Sequence, residues 1–269
     1  MNTTLSPAHI KELEVAFNFL EHPGFLVRLA SFIGKPLEFV VNKIPGQVVS
    51  KVCNLALHKA MDLSIVGMDA NKNTCKSRTG WYKVTNFITG TASGWCGLPA
   101  LSIELPVTTC LILRSVADIA RNNGEDISKV ETRLACLEVF AMGGRTSSDD
   151  LADSAYYTTR YAMADAFVAA IEHVAQNKLG SSGAPVIIRF IEKIAERFSL
   201  VVTEKLLAQS LPILGAIGGG TLNTVFTAHF QNIAKGHFTV RRLERIYGSG
   251  VVRDAYRALY YNSKLQRVA

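Results

Sequence analysis

Two long stretches of this chain are nearly free of charge, and each has to be buried in something. Residues 84–113 hold one charged side chain, Glu104, and residues 206–234 hold no Asp, Glu, Lys or Arg. Both exceed the roughly 20 residues that carry a helix across a bilayer. Both place small residues four apart, Gly90 to Gly94 and Gly215 to Gly219, a spacing that lets helix backbones approach closely in membranes and in bundles alike. Yet both are only moderately apolar. Thr85, Asn86, Thr89, Ser93 and Ser102 interrupt the first, and Gln209, Asn223, Thr224 and Gln231 the second. Polar groups without partners are costly in hydrocarbon. The first expectation is therefore a pair of core helices packed through glycine; a membrane-lying or reversibly inserting element is the alternative, and a true span the third reading.

Composition supports a core. With 48% hydrophobic and 19% charged residues, the chain has ample apolar surface to fold around and lacks the signature of disorder. Its mean hydropathy of +0.18 is high for a soluble protein and short of a polytopic membrane protein. The five cysteines, at 53, 75, 96, 110 and 136, show neither Cys-x-x-Cys pairs nor metal-ligand spacing. That usage suits a reducing, cytoplasmic setting. The sequence from Met1 to Pro7 has no basic segment followed by an apolar one, so no secretory signal is expected.

Strand signals are almost absent and helix signals recur throughout, so the expected fold is all-α, a compact multi-helix bundle with glycine-rich central helices. Ser6 and Pro7 open a first helix that Pro23-Gly24 closes. Gly34, Pro36 and Pro45-Gly46 punctuate the next stretch into short helices, and a helix is expected from about Gln47 to Val66. The polar run 69–80 is the best boundary in the chain. Ser128 and Glu131 have the spacing of a capping box, which starts a helix that runs to Met142 and ends at Gly143-Gly144. Ser147 or Ser148 is expected to cap a long helix carrying Asp149, Asp150 and Asp153 in its first turn. Further helices are expected near 185–198, 200–214, 220–234, 238–247 and 251–263.

Several polar residues stand out against this background. On a helix over 98–121, Glu104, Thr108, Arg114, Ser115, Asp118 and Arg121 share an arc of about 140 degrees. Arg114 and Asp118 are placed as an i,i+4 pair. Glu104 is read either as a buried acid or ligand-binding group or as a carboxylate locking helices through an arginine such as Arg114 or Arg160. Pro106 adds the option of a helix start that leaves Glu104 just outside its N-terminus. Tyr157 and Arg160 lie on a polar helix face. His229 and His237 are eight apart, with Gly236 expected to break the helix between them. From Gly236 onward seven basic residues, including Arg241, Arg242 and Arg245, face only Glu244 and Asp254. That basic tail suits an anionic surface or an acidic partner, or is simply a solvated face.

No metalloprotease, hydrolase, phosphate-loop or dinucleotide motif occurs. No paired Glu-x-x-His for a di-iron bundle is present, and no recognition element joins the arginines for nucleic acid. Neither metal, cofactor nor nucleic acid is expected.

Longer strings carry a family resemblance. Gly97 to Pro106, the continuation through Arg114, Asp118 and Arg121, Gly124-Glu-Asp, and Arg133 through Glu138 to Gly144 resemble the EcsC protein family. So do Tyr156-Tyr157 to Arg160, Gln209 to Ala216, His229-Phe-Gln231 and His237 to Gly248. The resemblance implies an all-helical bacterial protein whose namesake is associated with an ABC-transporter operon, and it transfers no catalytic residues. Residues 1–78 are expected to form an N-terminal helical segment packed on the core, and 79–269 an EcsC-like all-helical domain.

The functional expectation is a peripheral membrane-associated or lipid-binding helical protein, accessory to membrane transport, with an anionic membrane surface or lipid and a membrane transporter as partners. Its charge-light helices would meet acyl chains, and Arg241, Arg242 and Arg245 would meet headgroups. The alternative is an enzyme on a lipid-like or apolar substrate with Glu104, Asp118 and His229 as acid–base groups.

Overall fold

A helix with apolar side chains all the way round has to sit among others, and one segment of this chain dictates the architecture in that way. The computed structural model describes residues 4–21, 46–66, 98–144, 154–177, 184–209 and 219–268. These form α1 (Pro7–Glu21), α2 (Gly46–Val66), α3 (Leu98–Asn122), α4 (Val130–Met142), α5 (Ala155–Asn177), α6 (Pro185–Gln209), α7 (Gly219–Tyr247) and α8 (Ser249–Val268). The described residues contain no strand, and the molecule is an all-α bundle. In α4 every residue from Leu134 to Ala141 is buried. It packs against α2, α3, α5, α6 and α7, while α1 and α8 close over α7.

The centre is aromatic. Phe140 of α4, Phe198 of α6 and Phe230 of α7 meet at ring-centroid distances of 5.1 to 5.5 Å, and Phe226 joins Phe230 at 5.2 Å. Each fully buried ring contributes roughly 1.5–3 kcal/mol, beyond which tilted and edge-on pairs add a little more. Glycine makes the approach possible at the end of α4. A Cβ on Gly143 would lie 2.7 Å from the Phe230 ring, and one on Gly144 would clash with the Arg197 carbonyl.

Several boundaries differ from those expected. Residues 185–198 and 200–209 form one helix, because Ser199 turns its hydroxyl back onto the Glu196 carbonyl at 2.7 Å and so stays compatible with helical backbone. The segments 220–234 and 238–247 are likewise one helix. Gly236 does not break α7; it is a contact point, where a Cβ would sit 2.7 Å from Leu20 and 3.0 Å from the Ala16 carbonyl of α1. Pro106 lies inside α3 and not at its start, so Glu104 is an interior helical residue.

The Ser128–Glu131 capping box does not form. Both the backbone N–H and the hydroxyl of Ser128 donate to Asp126, and Lys129 occupies the N-cap without a side-chain cap. The long helix α5 starts at Ala155, after Ser154, which accepts from the Tyr157 N–H at 3.3 Å. Ser147, Ser148, Asp149, Asp150 and Asp153 lie outside the described residues, as do Pro23-Gly24, the 69–80 loop and the Gly90 and Gly215 motifs.

The described parts of the two charge-light stretches, in α3 and α7, pack on each other. Gln231 of α7 donates to Ser115 of α3 at 2.7 Å. No helix among the described residues is long and apolar enough to cross a membrane.

Candidate functional site

Charged side chains are costly to bury unless paired, so their partners sort the candidates. Glu104 is paired with Lys205 of α6 at 2.7 Å, and the two side chains are 5% and 0% exposed. Neither Arg114 nor Arg160 is the partner, contrary to expectation. Lys205 also lies 4.9 Å over the Phe226 ring, and burial pulls its ammonium below the usual lysine range against the attraction of Glu104. This pair ties α3 to α6 beside α7. Asp118 pairs with Arg121, at 2.9 Å, and not with Arg114. The ring of His229 donates from Nε2 to the Gly143 carbonyl at 3.2 Å, capping the end of α4. Glu104, Asp118 and His229 therefore have three separate structural partners and do not converge as an acid–base set.

A second group does converge. On α5, Tyr156, Tyr157 and Arg160 share a face; on α7, His237, Arg241, Glu244 and Arg245 share another. Arg160 donates to Glu244 at 2.8 Å and lies over the rings of Tyr156 and Tyr157 at 5.5 and 5.7 Å. Arg241 donates to Glu125 and Glu131, each at 2.9 Å, and Arg245 donates to Glu125 and to the Asn123 carbonyl. Gly124, in the turn before α4, adopts φ +77°, which brings this acidic corner round to α7. Arg242 points the other way and pairs with Glu12 of α1. The three arginines assigned to headgroups are each held by glutamate.

Glu125, Glu131, Arg160, Arg241, Glu244 and Arg245 line a cleft of about 560 Å³ between the α3–α4 turn, α5, α7 and the start of α8. Burial raises the Glu125 carboxyl, but bonds and charge from Arg241 and Arg245 outweigh it and hold the carboxyl below its usual range. The Tyr156 hydroxyl accepts from Arg160 at 3.4 Å and stands 3.1 Å from His237 Nδ1. His237 Nε2, on the other side of the ring, is buried without a partner among the described residues. Burial, with Arg241 and Arg160, keeps this imidazole neutral well below its ordinary pKa.

Of the residues singled out in the sequence, Arg160, Arg241 and Arg245 line this cleft and Tyr157 and His237 pack beside them, while Glu138 was missed. It lies seven residues after Glu131, on the same stripe of α4, and is buried. No hydrogen bond or ion pair holds its carboxylate among the described residues. Burial pushes it up to about 7, opposed by Arg160 and Arg241 and reinforced by Glu244.

Arg114 has a different setting. It is exposed at the rim of a groove of about 570 Å³ between α2 and α3, with Lys59 across from it and Ile103, Pro106, Val107 and Leu111 along the wall. Ile103 is 75% exposed and Val107 45%. Pro106 removes a backbone donor, so the Ser102 carbonyl at the groove lacks its helical partner.

At the opposite edge, Glu21 ends α1 against the start of α5. Its carboxylate accepts from Ser154 Oγ at 2.6 Å, the Ala155 and Tyr156 N–H groups at 3.2 Å and the Tyr256 hydroxyl at 3.1 Å. A remote carboxylate supplies that helix cap.

A model of the EcsC protein family matches residues 29–243, starting upstream of the 79–269 stretch and ending before α8. No curated protein and no solved structure gives a match.

Proposed function

The chain belongs to the EcsC protein family, and from that premise we propose that it is a peripheral, lipid-contacting helical protein whose groove between α2 and α3 takes an acyl chain of an anionic lipid. The observation that carries this reading is the α3 wall, where a charge-light helix leaves Ile103 and Val107 open to solvent beside Arg114 and Lys59. Large apolar side chains exposed together and rimmed by polar groups are the pattern of an interaction or ligand surface. Two cations against one acid, Asp62, favour an anionic headgroup at the rim. Membrane contact in this reading belongs to one helix face, and the arginines of α7 take no part in it.

Flotation with vesicles of phosphatidylcholine, with and without phosphatidylglycerol, tests the reading. The wild type is expected to float with the anionic vesicles at low salt, and Val107→Asp with Arg114→Glu to lose about tenfold or more of that binding. Wild-type protein recovered only in the soluble fraction at low salt would overturn it, and so would an unaffected double variant.

A further inference from the structure

The cleft between α4, α5, α7 and α8 differs from an ordinary surface ion-pair network in two respects. Its lining is balanced, with Lys129, Arg160, Arg241 and Arg245 set among Glu125, Asp126, Glu131 and Glu244. Such a surface offers no net attraction to a plain anion or a plain cation. Two turns along α4 from Glu131, on the same stripe, stands Glu138, more than nine-tenths buried and without a donor among the described residues. Buried polar groups nearly always have partners, so one without any asks for a ligand or a bound water. The charges acting on Glu138 are those of Arg160, Arg241 and Glu244, all of which line the cleft.

From this arrangement we infer that the cleft binds a small zwitterion, a molecule with a primary ammonium and an oxyanion a few bonds apart. The ammonium points inward and gives Glu138 a charge-assisted hydrogen bond. The oxyanion meets Arg241 and Lys129 in exchange for Glu131. Glu131 is the partner that can leave: its side chain is 54% exposed and holds Arg241 through one nitrogen at 2.9 Å, and pairs of that kind contribute only about 0–1 kcal/mol. Glu125 is the partner that stays, because its buried carboxylate takes both Arg241 and Arg245 and keeps them positioned. A volume of about 560 Å³ admits a molecule of this size. Aminoalkyl phosphates fit the description, either as free compounds or as the headgroup of an ethanolamine phospholipid. The groove lies on α2 and α3, so the two sites stand or fall separately.

Calorimetric titration of the full chain with phosphoethanolamine tests this, with ethanolamine and glycerol phosphate as its two halves. The whole zwitterion is expected to bind at least about tenfold more tightly than either half, and Glu138→Gln to weaken it by about tenfold. Glu131→Gln, at the exposed mouth, is expected to tighten binding about two- to fivefold, since it removes the competitor for Arg241. This opposite-signed change keeps the test decisive if Glu138→Gln folds poorly. Vesicles of phosphatidylethanolamine against phosphatidylcholine, whose ammonium has no N–H to donate, separate the sources. Glu138-dependent binding to the former, with the free compound weaker, places the zwitterion on a lipid, and the reverse order places it in solution. Equal binding of the halves, insensitivity to both variants, or no saturation by any probe at millimolar concentration overturns the inference.

Discussion

Glu104 and Glu138 are two buried carboxylates in apolar helices, and they differ in one respect. Glu104 has Lys205 at 2.7 Å, an ammonium wholly removed from solvent, whereas Glu138 has charges nearby but no donor among the described residues. The first region is closed electrically: α3, α6 and the Phe226 ring surround a paired carboxylate and ammonium. The second stands within reach of charges that line a cleft, Arg160, Arg241 and Glu244. Apolar neighbours alone do not mark a functional acid; whether the fold supplies its partner is the more useful test.

The largest effect is expected where the pair is broken on one side. Glu104→Gln leaves the Lys205 ammonium buried without its counter-charge, and urea denaturation is expected to show a loss of about 3–5 kcal/mol. Replacing both members, Glu104→Leu with Lys205→Met, is expected to recover most of that, because neither buried charge remains. A single variant within about 1 kcal/mol of wild type would show that the pair is not what holds α3 to α6, and the contrast with Glu138 would collapse.

The next effect is a pH dependence that only the cleft should show. Glu138 binds its proton more tightly in the folded state, about 7 against an ordinary 4.5. Its contribution is fully present below about 4.5 and is lost as pH rises to about 7, on the order of 3 kcal/mol in all. His237 acts in the opposite sense: held neutral well below 6.5, it contributes above 6.5 and loses that contribution as pH falls. The two slopes offset each other between about 4.5 and 6.5, while Arg160 and Arg241 stay charged throughout. Melting temperatures across that range are expected to keep rising with pH in Glu138→Gln and to fall with pH in His237→Gln. Parallel curves for wild type and Glu138→Gln would mean that the carboxyl keeps its contact with water.

Much of the fold was legible in the sequence because helices write themselves locally. Ser6 does cap α1, accepting from the His9 N–H at 3.3 Å, and the α2 and α4 spans come from punctuation beside them. Failures came where a distant contact overrode a local signal. Gly236 reads as a breaker, yet its missing Cβ is what admits α1. Glu104 stood out as the lone charge in its stretch, but its lysine lies 101 residues away and no spacing announces it. Glu138 lay hidden in an equally apolar run, because Arg160, Arg241 and Glu244 come from two other helices. The basic tail looked free for the same reason: Glu12, Glu125 and Glu131, which pair with Arg241, Arg242 and Arg245, sit far upstream.

The smallest effect bears on why the cleft looks as it does. Both α5 and α4 begin near charged groups, yet α5 is capped by the Glu21 carboxylate and α4 by nothing from a side chain, with Lys129 in the cap position at φ −75° and ψ 134°. A cation at a helix N-terminus works against the dipole, and those angles would accommodate aspartate without strain. Lys129→Asp is therefore expected to raise stability by about 1 kcal/mol, measured by urea denaturation, by adding the missing cap. The same change removes a cation from the oxyanion end of the cleft and is expected to weaken phosphoethanolamine binding. Stability gained with binding lost would mean that this helix start is kept suboptimal for the sake of the cleft. If stability rises and binding is untouched, Lys129 is a neutral surface choice and the oxyanion rests on Arg241 alone.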